Sequence, residues 1–380
     1  MSLSAVLALP AMAAPLAAPS APDLATTDGF RRTCAAQPVN ADVLRTDDER
    51  LAWAICRDVD QVRQLSTWAR RGMATLNRVQ PQDYAAVVAE VERKIDEVRA
   101  EMRRTRLQLE RVQLGAGRSL RIAPGQWQVD LDGDGELSVW ERHFFALPKR
   151  RHGEPQFGMP SDDAGHYERH YDMNAVIDLD QSDVLWALSY HQFIEGLLIN
   201  IRAFDVDLQR RELVLARPAL LRQAHGLIGR GLATSGRLRD AVLAETDDQN
   251  EWISHPRQVN SVFPIPLEAA DFTTWRVMLD QVGALWHGRH LLPTTAGAGG
   301  LLGSLAPVCP AGQGLDIAKL YLQPPPAGTR ASLNRLPAAL TTMCRKVDAT
   351  HPLSPLPGRL ERDTVGATGM SALRYLYWVN

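Results

Sequence analysis

Residues 84–112 read YAAVVAEVERKIDEVRAEMRRTRLQLERV, and this stretch decides the fold class. Nine residues recur at alternating spacings of four and three, so on a helix they form one continuous seam. They are Tyr84, Val88, Val91, Ile95, Val98, Met102, Thr105, Leu109 and Val112. The spacing predicts a helix of about thirty residues that packs this seam on a neighbouring helix. The neighbour is either the preceding helix, folded back as a helical hairpin, or the same seam of a second chain in a dimer.

Two other segments have apolar patterns that place them in the body of a helical protein. Residues 46–76 show apolar positions at intervals of three and four, which predicts the first helix of the hairpin. Residues 183–204 are apolar around most of a helical circumference, which is typical of a helix at the centre of a core. Ser182 or Asp183 is placed to cap that central helix.

The remaining elements complete a mainly α fold class, a multi-helix globular body with an N-terminal helical hairpin. Helices are expected at 218–245 and 267–286 from their periodicity. Residues 315–323 and 374–379 have aromatic and aliphatic content suited to strands. We therefore expect at most a few short strands, near the C-terminus.

Breaks in composition divide the chain into five regions. They are a signal-peptide-like leader at 1–22, the hairpin at 23–117, an acidic loop with its following helix at 118–147, a helical core at 148–294 and a C-terminal region at 295–380. The segment that follows the acidic loop, up to about Asp172, is rich in proline and glycine and predicts irregular structure.

The overall composition is that of a globular protein without a polyanion partner. Of its residues 45% are hydrophobic and 23% are charged, and the formal net charge is −2. This balance argues against binding to nucleic acid or to an anionic membrane. No run after the leader reaches the ~20 apolar residues of a membrane span.

The leader and the cysteines both indicate export. Residues 1–22 carry no charged side chain, and Ala11–Ala13 form an A-x-A cleavage site, although a disordered Ala/Pro leader has the same composition. Four cysteines occur as an early and a late pair, without C-x-x-C spacing. In a periplasmic or secreted chain we expect Cys34 to join Cys56 and Cys309 to join Cys344, with free thiols as the alternative.

The most informative motif is DLDGDGELSVWE at residues 130–141. Asp130, Asp132 and Asp134 occupy its first, third and fifth places, and Glu141 the twelfth. Carboxylate oxygens suit calcium, a hard cation that takes six to eight oxygen ligands. Gly135 at the sixth place permits a sharp turn, and the carboxylates at the other four places repel one another unless a cation neutralises them.

This motif resembles the EF-hand calcium loop. The resemblance implies carboxylate ligands from Asp130, Asp132 and Asp134, a backbone carbonyl from Glu136, a bridging water on Ser138 and a bidentate carboxylate from Glu141. Magnesium fits less well, because its octahedral shell tolerates a bidentate glutamate poorly. The chain as a whole loosely resembles bacterial proteins that join one EF-hand loop to a large helical body, which implies no activity.

The likeness covers only the loop and an exiting helix at 139–147. Pro124 and Gly125 stand where an entering helix would run. We therefore expect a structural calcium clip, since an EF-hand switch needs two helices that change their angle. A second loop beginning at Asp178 lacks the turn glycine and the closing glutamate, so this stretch is interpreted as a capped helix start.

Other acidic and histidine residues form weaker candidates. His166 and His170 are four residues apart, as metal-binding histidines on a helix can be, but solvated loop residues have the same spacing. His191 and Glu195 are a buried polar pair in the central helix, interpreted as a satisfied core histidine. One acidic cluster could provide an acid and base or a second metal site, and it consists of Glu245, Asp247, Asp248 and Glu251.

The functional hypothesis is an exported calcium-binding helical protein in which calcium is structural and the role is binding or scaffolding rather than catalysis. A protein partner or a dimer could use the seam at 84–112. The alternative is a periplasmic hydrolase in which Asp247 and Asp248 act with His191 or His255. A cleft that joins these acids to a histidine would favour the enzyme.

Overall fold

A computed structural model describes residues 21–76, 80, 83–149, 163–263, 267–294, 309–332 and 340–356. The leader cleavage site at Ala11–Ala13 and the strand expected at 374–379 lie outside these residues. The described part is mainly α, which confirms the predicted fold class.

The helices and strands are numbered in chain order. The helices are α1 Thr27–Ala35, α2 Asp47–Leu76, α3 Tyr84–Leu109, α4 Val139–His143, α5 Ala164–His170, α6 Gln181–Ile201, α7 Pro218–Ala244, α8 Ala269–Trp286 and α9 Ile317–Leu322. The strands are β1 Leu120–Ile122, β2 Leu147–Pro148, β3 Tyr171–Asp172, β4 Ile177–Leu179, β5 Phe204–Asp207, β6 Glu212–Leu215, β7 Gln313–Leu315, β8 Arg330–Ser332 and β9 Cys344–Lys346.

The predicted hairpin of α2 and α3 is present in the structure. Arg57 of α2 pairs with Glu101 of α3 at 2.5 Å, and further toward the end of α2 the Trp68 indole donates to Glu90 at 3.0 Å. As the residue number rises on α2 it falls on α3, so the two helices are antiparallel. Helix α3 therefore has an intramolecular neighbour in α2.

Helix α6 lies at the centre of the body and packs closely on α7. A Cβ atom on Gly231 of α7 would lie 2.8 Å from the ring of Phe193, and one on Gly196 of α6 would lie 2.6 Å from Ile228. Both distances are shorter than any ordinary carbon contact, so glycine at these positions sets the separation of the two helices. Helix α6 begins at Gln181, two or three residues earlier than the predicted caps imply.

The cap of α6 corrects the sequence interpretation. Asp180, and not Ser182 or Asp183, is the N-cap, and its carboxylate accepts from the N–H of Ser182 at 2.7 Å and of Asp183 at 3.2 Å. The Asp183 carboxylate accepts in return from the N–H of Asp180 at 3.2 Å, which completes a capping box.

The short strands are more widely distributed than expected. They form antiparallel pairs β1–β4, β2–β3 and β7–β9 and the sheet β5–β6–β8. Residues 315–323 are mostly the helix α9 and not a strand, because the Asp316 carboxylate caps it by accepting from the N–H of Lys319 at 3.1 Å. The segment before Asp172 contains α5, which its flanking prolines and glycines concealed.

Both predicted disulfides are present. Cys34 joins Cys56 and ties α1 to α2, while Cys309 joins Cys344 and ties β9 to the chain before β7. Paired cysteines of this kind are typical of proteins outside the cytoplasm. Among the described helices, none combines the length and the apolar character needed to cross a bilayer.

Candidate metal centre

The acidic loop is organised by hydrogen bonds from its own backbone. The Asp130 carboxylate accepts from the N–H of Gly133 at 2.6 Å and of Gly135 at 2.9 Å. The Gly135 bond is the main cause of the lowered pKa of Asp130. Gly133 and Gly135 adopt φ values of 75° and 90°, which side-chain-bearing residues rarely adopt. The turn expected at the sixth place is therefore present.

Three aspartates of the loop converge on one point. Carboxylate oxygens of Asp130, Asp132 and Asp134 all lie within 4.8 Å of one another. This separation allows one cation to contact all three, since calcium–oxygen distances are about 2.3–2.6 Å. The structure thus brings together three of the ligands that the sequence identified, and Glu141 is not among the carboxylates within this distance.

Glu141 reaches back across the loop from the first turn of α4. Its side chain is 1% exposed, and one oxygen accepts from the N–H of Leu131 at 2.8 Å and of Asp132 at 3.2 Å. The other oxygen accepts from the N–H and hydroxyl of Ser138, at 2.9 and 2.6 Å. Burial acts to raise the pKa of Glu141, but these hydrogen bonds outweigh it and the pKa is lowered. Glu141 is therefore a buried carboxylate that ties both ends of the loop together.

Arg70 of α2 is a member of this site that sequence reasoning missed. Its guanidinium lies 2.6 Å from Asp132 and 3.7 Å from Asp134, and the nearby Thr67 hydroxyl donates to the carbonyl of Leu131 at 3.1 Å. The expectation that only a bound cation relieves repulsion in the loop was therefore too strong, because Arg70 already offsets part of the charge. No local signal links Arg70 to a motif sixty residues later.

The helices beside the loop are short. Residues 124–126 form a 3-10 turn where an EF-hand has its entering helix, and α4 ends at His143, before the predicted Leu147. The chain before the loop is fixed by Trp127, whose indole donates to the carbonyl of Leu24 at 2.9 Å and whose ring stacks on Phe30. The loop is thus anchored to the body on α1 and α2.

A second acidic cluster joins distant parts of the sequence. Carboxylate oxygens of Asp180, at the start of α6, and of Glu245 and Glu251, after α7, lie within 4.8 Å of one another. Glu245 and Glu251 belong to the cluster that the sequence suggested, whereas Asp180 does not. The sequence interpretation did not predict that Asp180 lies close to Glu245 and Glu251, because it treated the start of α6 only as a capped helix start.

Burial and repulsion between charges favour protons on Glu245, on Glu251 and on the neighbouring Asp183. Burial, and then the charge of Asp180, raise the pKa of Glu245 to about 7. Burial, and then a hydrogen bond that only protonated Glu251 can donate to the Asp247 carboxylate, raise the pKa of Glu251 to about 8. Burial, followed by the charge of Asp180, also raises the pKa of Asp183 well above its ordinary value. The ionised cluster is therefore costly without a positive partner.

Asp248 has a different environment from the acids of this cluster. Its carboxylate accepts from the N–H of Val259 at 3.1 Å and of Asn260 at 2.9 Å, so it organises a loop. The ring nitrogen Nδ1 of His255 accepts from the N–H of Arg257 at 3.0 Å. In the described part of the chain no hydrogen bond or ion pair joins His255 to Asp248.

His191 and Glu195 are buried on α6 with separate partners. The two ring nitrogens of His191 face the carbonyl of Ala187 at 2.8 Å and the carboxylate of Asp58 at 3.1 Å. Both neighbours are acceptors, which fits a doubly protonated ring. Glu195 accepts from the Arg106 guanidinium at 2.6 Å. His191 is therefore a satisfied core histidine, separated along α6 from the acids near Asp180.

His166 and His170 lie on α5 with their ring centroids 4.6 Å apart. No third ligand-bearing side chain of the described residues joins them at metal-binding distance. Tyr167 between them stacks on His143 at 4.5 Å, which joins α5 to α4. The pair therefore belongs to an aromatic contact.

No protein-family model, curated protein or solved structure matches the chain. The meaning of the two acidic clusters therefore depends on their own geometry and chemistry.

Proposed function

We propose that this chain is an exported calcium-binding protein whose Asp130–Glu141 loop holds one structural calcium ion. The observation that carries the proposal is the convergence of Asp130, Asp132 and Asp134 around a glycine turn. Two disulfides support a periplasmic or secreted location, where free calcium is available to such a loop. The helical body then serves in binding or scaffolding.

The ligand assignment follows the chemistry of each loop position. Asp130, Asp132 and Asp134 each supply one carboxylate oxygen, Glu136 supplies its carbonyl, Ser138 holds a water, and Glu141 supplies both carboxylate oxygens. Glu141 now accepts four hydrogen bonds from the loop, so calcium binding exchanges some of these bonds for metal contacts. Arg70 competes for Asp132 and Asp134 in the calcium-free protein.

A structural role is favoured because the loop is not flanked by two full helices. The 3-10 turn at 124–126 and the five residues of α4 cannot form the pair of helices that opens in a calcium sensor. Calcium present at a hundred times its dissociation constant stabilises the folded chain by about 2.7 kcal/mol. Chelation should therefore lower the melting temperature, leave the helix content nearly unchanged and expose little apolar surface to a hydrophobic dye.

Calorimetric titration of Glu141→Gln tests the ligand assignment. The substitution removes one charge and the bidentate carboxylate, so calcium binding to the loop should be strongly weakened. Glu136→Gln is the matched control, because it removes the same charge from the same loop and keeps the backbone carbonyl. Equal losses in both variants would show that only net charge matters, and unchanged binding in Glu141→Gln would refute the assignment.

A thermal melt with a hydrophobic dye tests the structural role separately. A large dye signal that appears on adding calcium, at temperatures where both forms are folded, would show a sensor instead.

The hydrolase alternative has no comparable support, since within the described residues neither His191 nor His255 is hydrogen-bonded to Asp247 or Asp248.

A further inference from the structure

We propose that Asp180, Glu245 and Glu251 form a second calcium site, separate from the Asp130–Glu141 loop. The site joins the N-terminus of α6 to the segment that follows α7. It adds a cation site that does not resemble an EF-hand, because its ligands come from separate segments of the chain.

The three carboxylates already have the spacing that one ion requires. Their oxygens lie within 4.8 Å of one another, and Glu251 is 3% exposed. Asp180 is held in place because its Oδ1 atom caps α6, which fixes the direction of its carboxylate. Glu245 follows directly on the last residue of α7, so both helices position the cluster.

A buried oxygen next to these three residues is an independent sign of a ligand. Asp183 is 4% exposed, and its Oδ1 atom has no hydrogen-bond partner among the residues that the structure describes. The other oxygen of the same carboxylate accepts from the N–H of Asp180 at 3.2 Å, so the Asp183 carboxyl group lies beside a member of the cluster. A buried carboxylate oxygen without a donor is costly unless a cation or a proton satisfies it.

Two of the proposed ligand residues also have a buried oxygen without a hydrogen-bond donor. Oε1 of Glu245 and Oε2 of Glu251 are buried and, over the described ranges of the chain, accept no hydrogen bond. The neighbouring Asp178 is different, because Arg121 contacts it at 2.8 and 3.0 Å and Asn250 donates to it at 2.9 Å. The fold thus supplies a positive partner to Asp178. Among the described residues it supplies none to Glu245 or Glu251, whose other oxygens accept only from Gln258 and from the N–H of Gln249.

The chemistry and the access both suit calcium. The donors are carboxylate oxygens alone, with neither histidine nor cysteine, and a hard cation with a flexible oxygen shell prefers such donors. A cavity of about 130 Å³ borders the cluster and is lined by Asp180, Asp247 and Glu251. The cavity provides an entry path and room for the waters that complete the shell.

The number of bound calcium ions, measured by calorimetric titration, tests this inference. The wild-type chain should bind two ions, while Asp180→Asn and Glu251→Gln should each lose one and keep the site of the loop. Asparagine is as good an N-cap as aspartate, so Asp180→Asn should preserve α6. Asp240→Asn is the matched control, because it removes an exposed carboxylate of α7 and should still bind two ions.

Glu141→Gln separates this proposal from the proposed function of the loop. If Glu141→Gln abolishes all calcium binding, or if Asp180→Asn and Glu251→Gln bind as many ions as the wild type, the second site does not exist and the acids share protons. If calcium binding is lost in Asp180→Asn and unaffected by Glu141→Gln, the second site stands and the loop assignment fails.

Discussion

Replacement of Arg70 by glutamine should tighten calcium binding to the acidic loop. The Arg70 guanidinium is 2.6 Å from Asp132 and 3.7 Å from Asp134, on a side chain that is 52% exposed. Calcium must compete with this positive charge for the same oxygens. An exposed ion pair contributes about 0.2–1 kcal/mol, and one guanidinium makes both contacts, so removing it should lower the dissociation constant by about 1.4- to fivefold.

Calorimetric titration at low and high ionic strength measures this effect. The difference between Arg70→Gln and the wild type should shrink in high salt, because salt screens an exposed pair. Arg103→Gln removes an exposed arginine of α3 and serves as the control. Weaker binding in Arg70→Gln would refute the reasoning by showing that Arg70 positions Asp132 for the ion, and equal binding would show that it does not compete.

Three further predictions concern the body of the protein. Burial opposes a proton on His191, but the Asp58 carboxylate outweighs it and raises the pKa of His191. The stabilisation from its charge is therefore fully present below about pH 6.5, the pKa of histidine in the unfolded chain, and is lost as the pH rises through the pKa of the folded state. Denaturant titration should show that His191→Gln loses more stability at acidic than at alkaline pH. Glu195→Leu removes the 2.6 Å partner of buried Arg106, which then keeps only Glu110 at 2.7 Å, and should cost about 2 kcal/mol in urea unfolding, with a smaller loss when Arg106→Leu is added. Gly125→Ala would place a Cβ atom 2.6 Å from a backbone oxygen and should lower the melting temperature, whereas an unchanged melt would show that this turn can move.

The sequence predicted those features that depend on residues close together in the chain. The periodicity of 46–76 and 84–112 predicted α2 and α3, because each apolar stripe is a local property of one helix. The three loop aspartates converge for the same reason. Helix α9 was misassigned because its aromatic and aliphatic residues suggested a strand, whereas Asp316 caps a helix there.

Contacts between distant segments could not be predicted in the same way. Arg70 meets Asp132 only because α2 passes the loop, and Asp180 meets Glu251 only because α6 and α7 pack together. The cap of α6 was placed two or three residues late because several polar residues there can accept from a helix N-terminus. Which residue does so depends on the backbone angles of the turn before it.

A crystal structure with calcium, and with terbium in its place to provide an anomalous signal, tests the central claim most directly. The account predicts a peak among the carboxylates of Asp130, Asp132 and Asp134, with Glu141 turned onto the ion and Arg70 displaced. At saturating terbium, an Arg70 guanidinium still bound to Asp132 and no peak within the loop would contradict it.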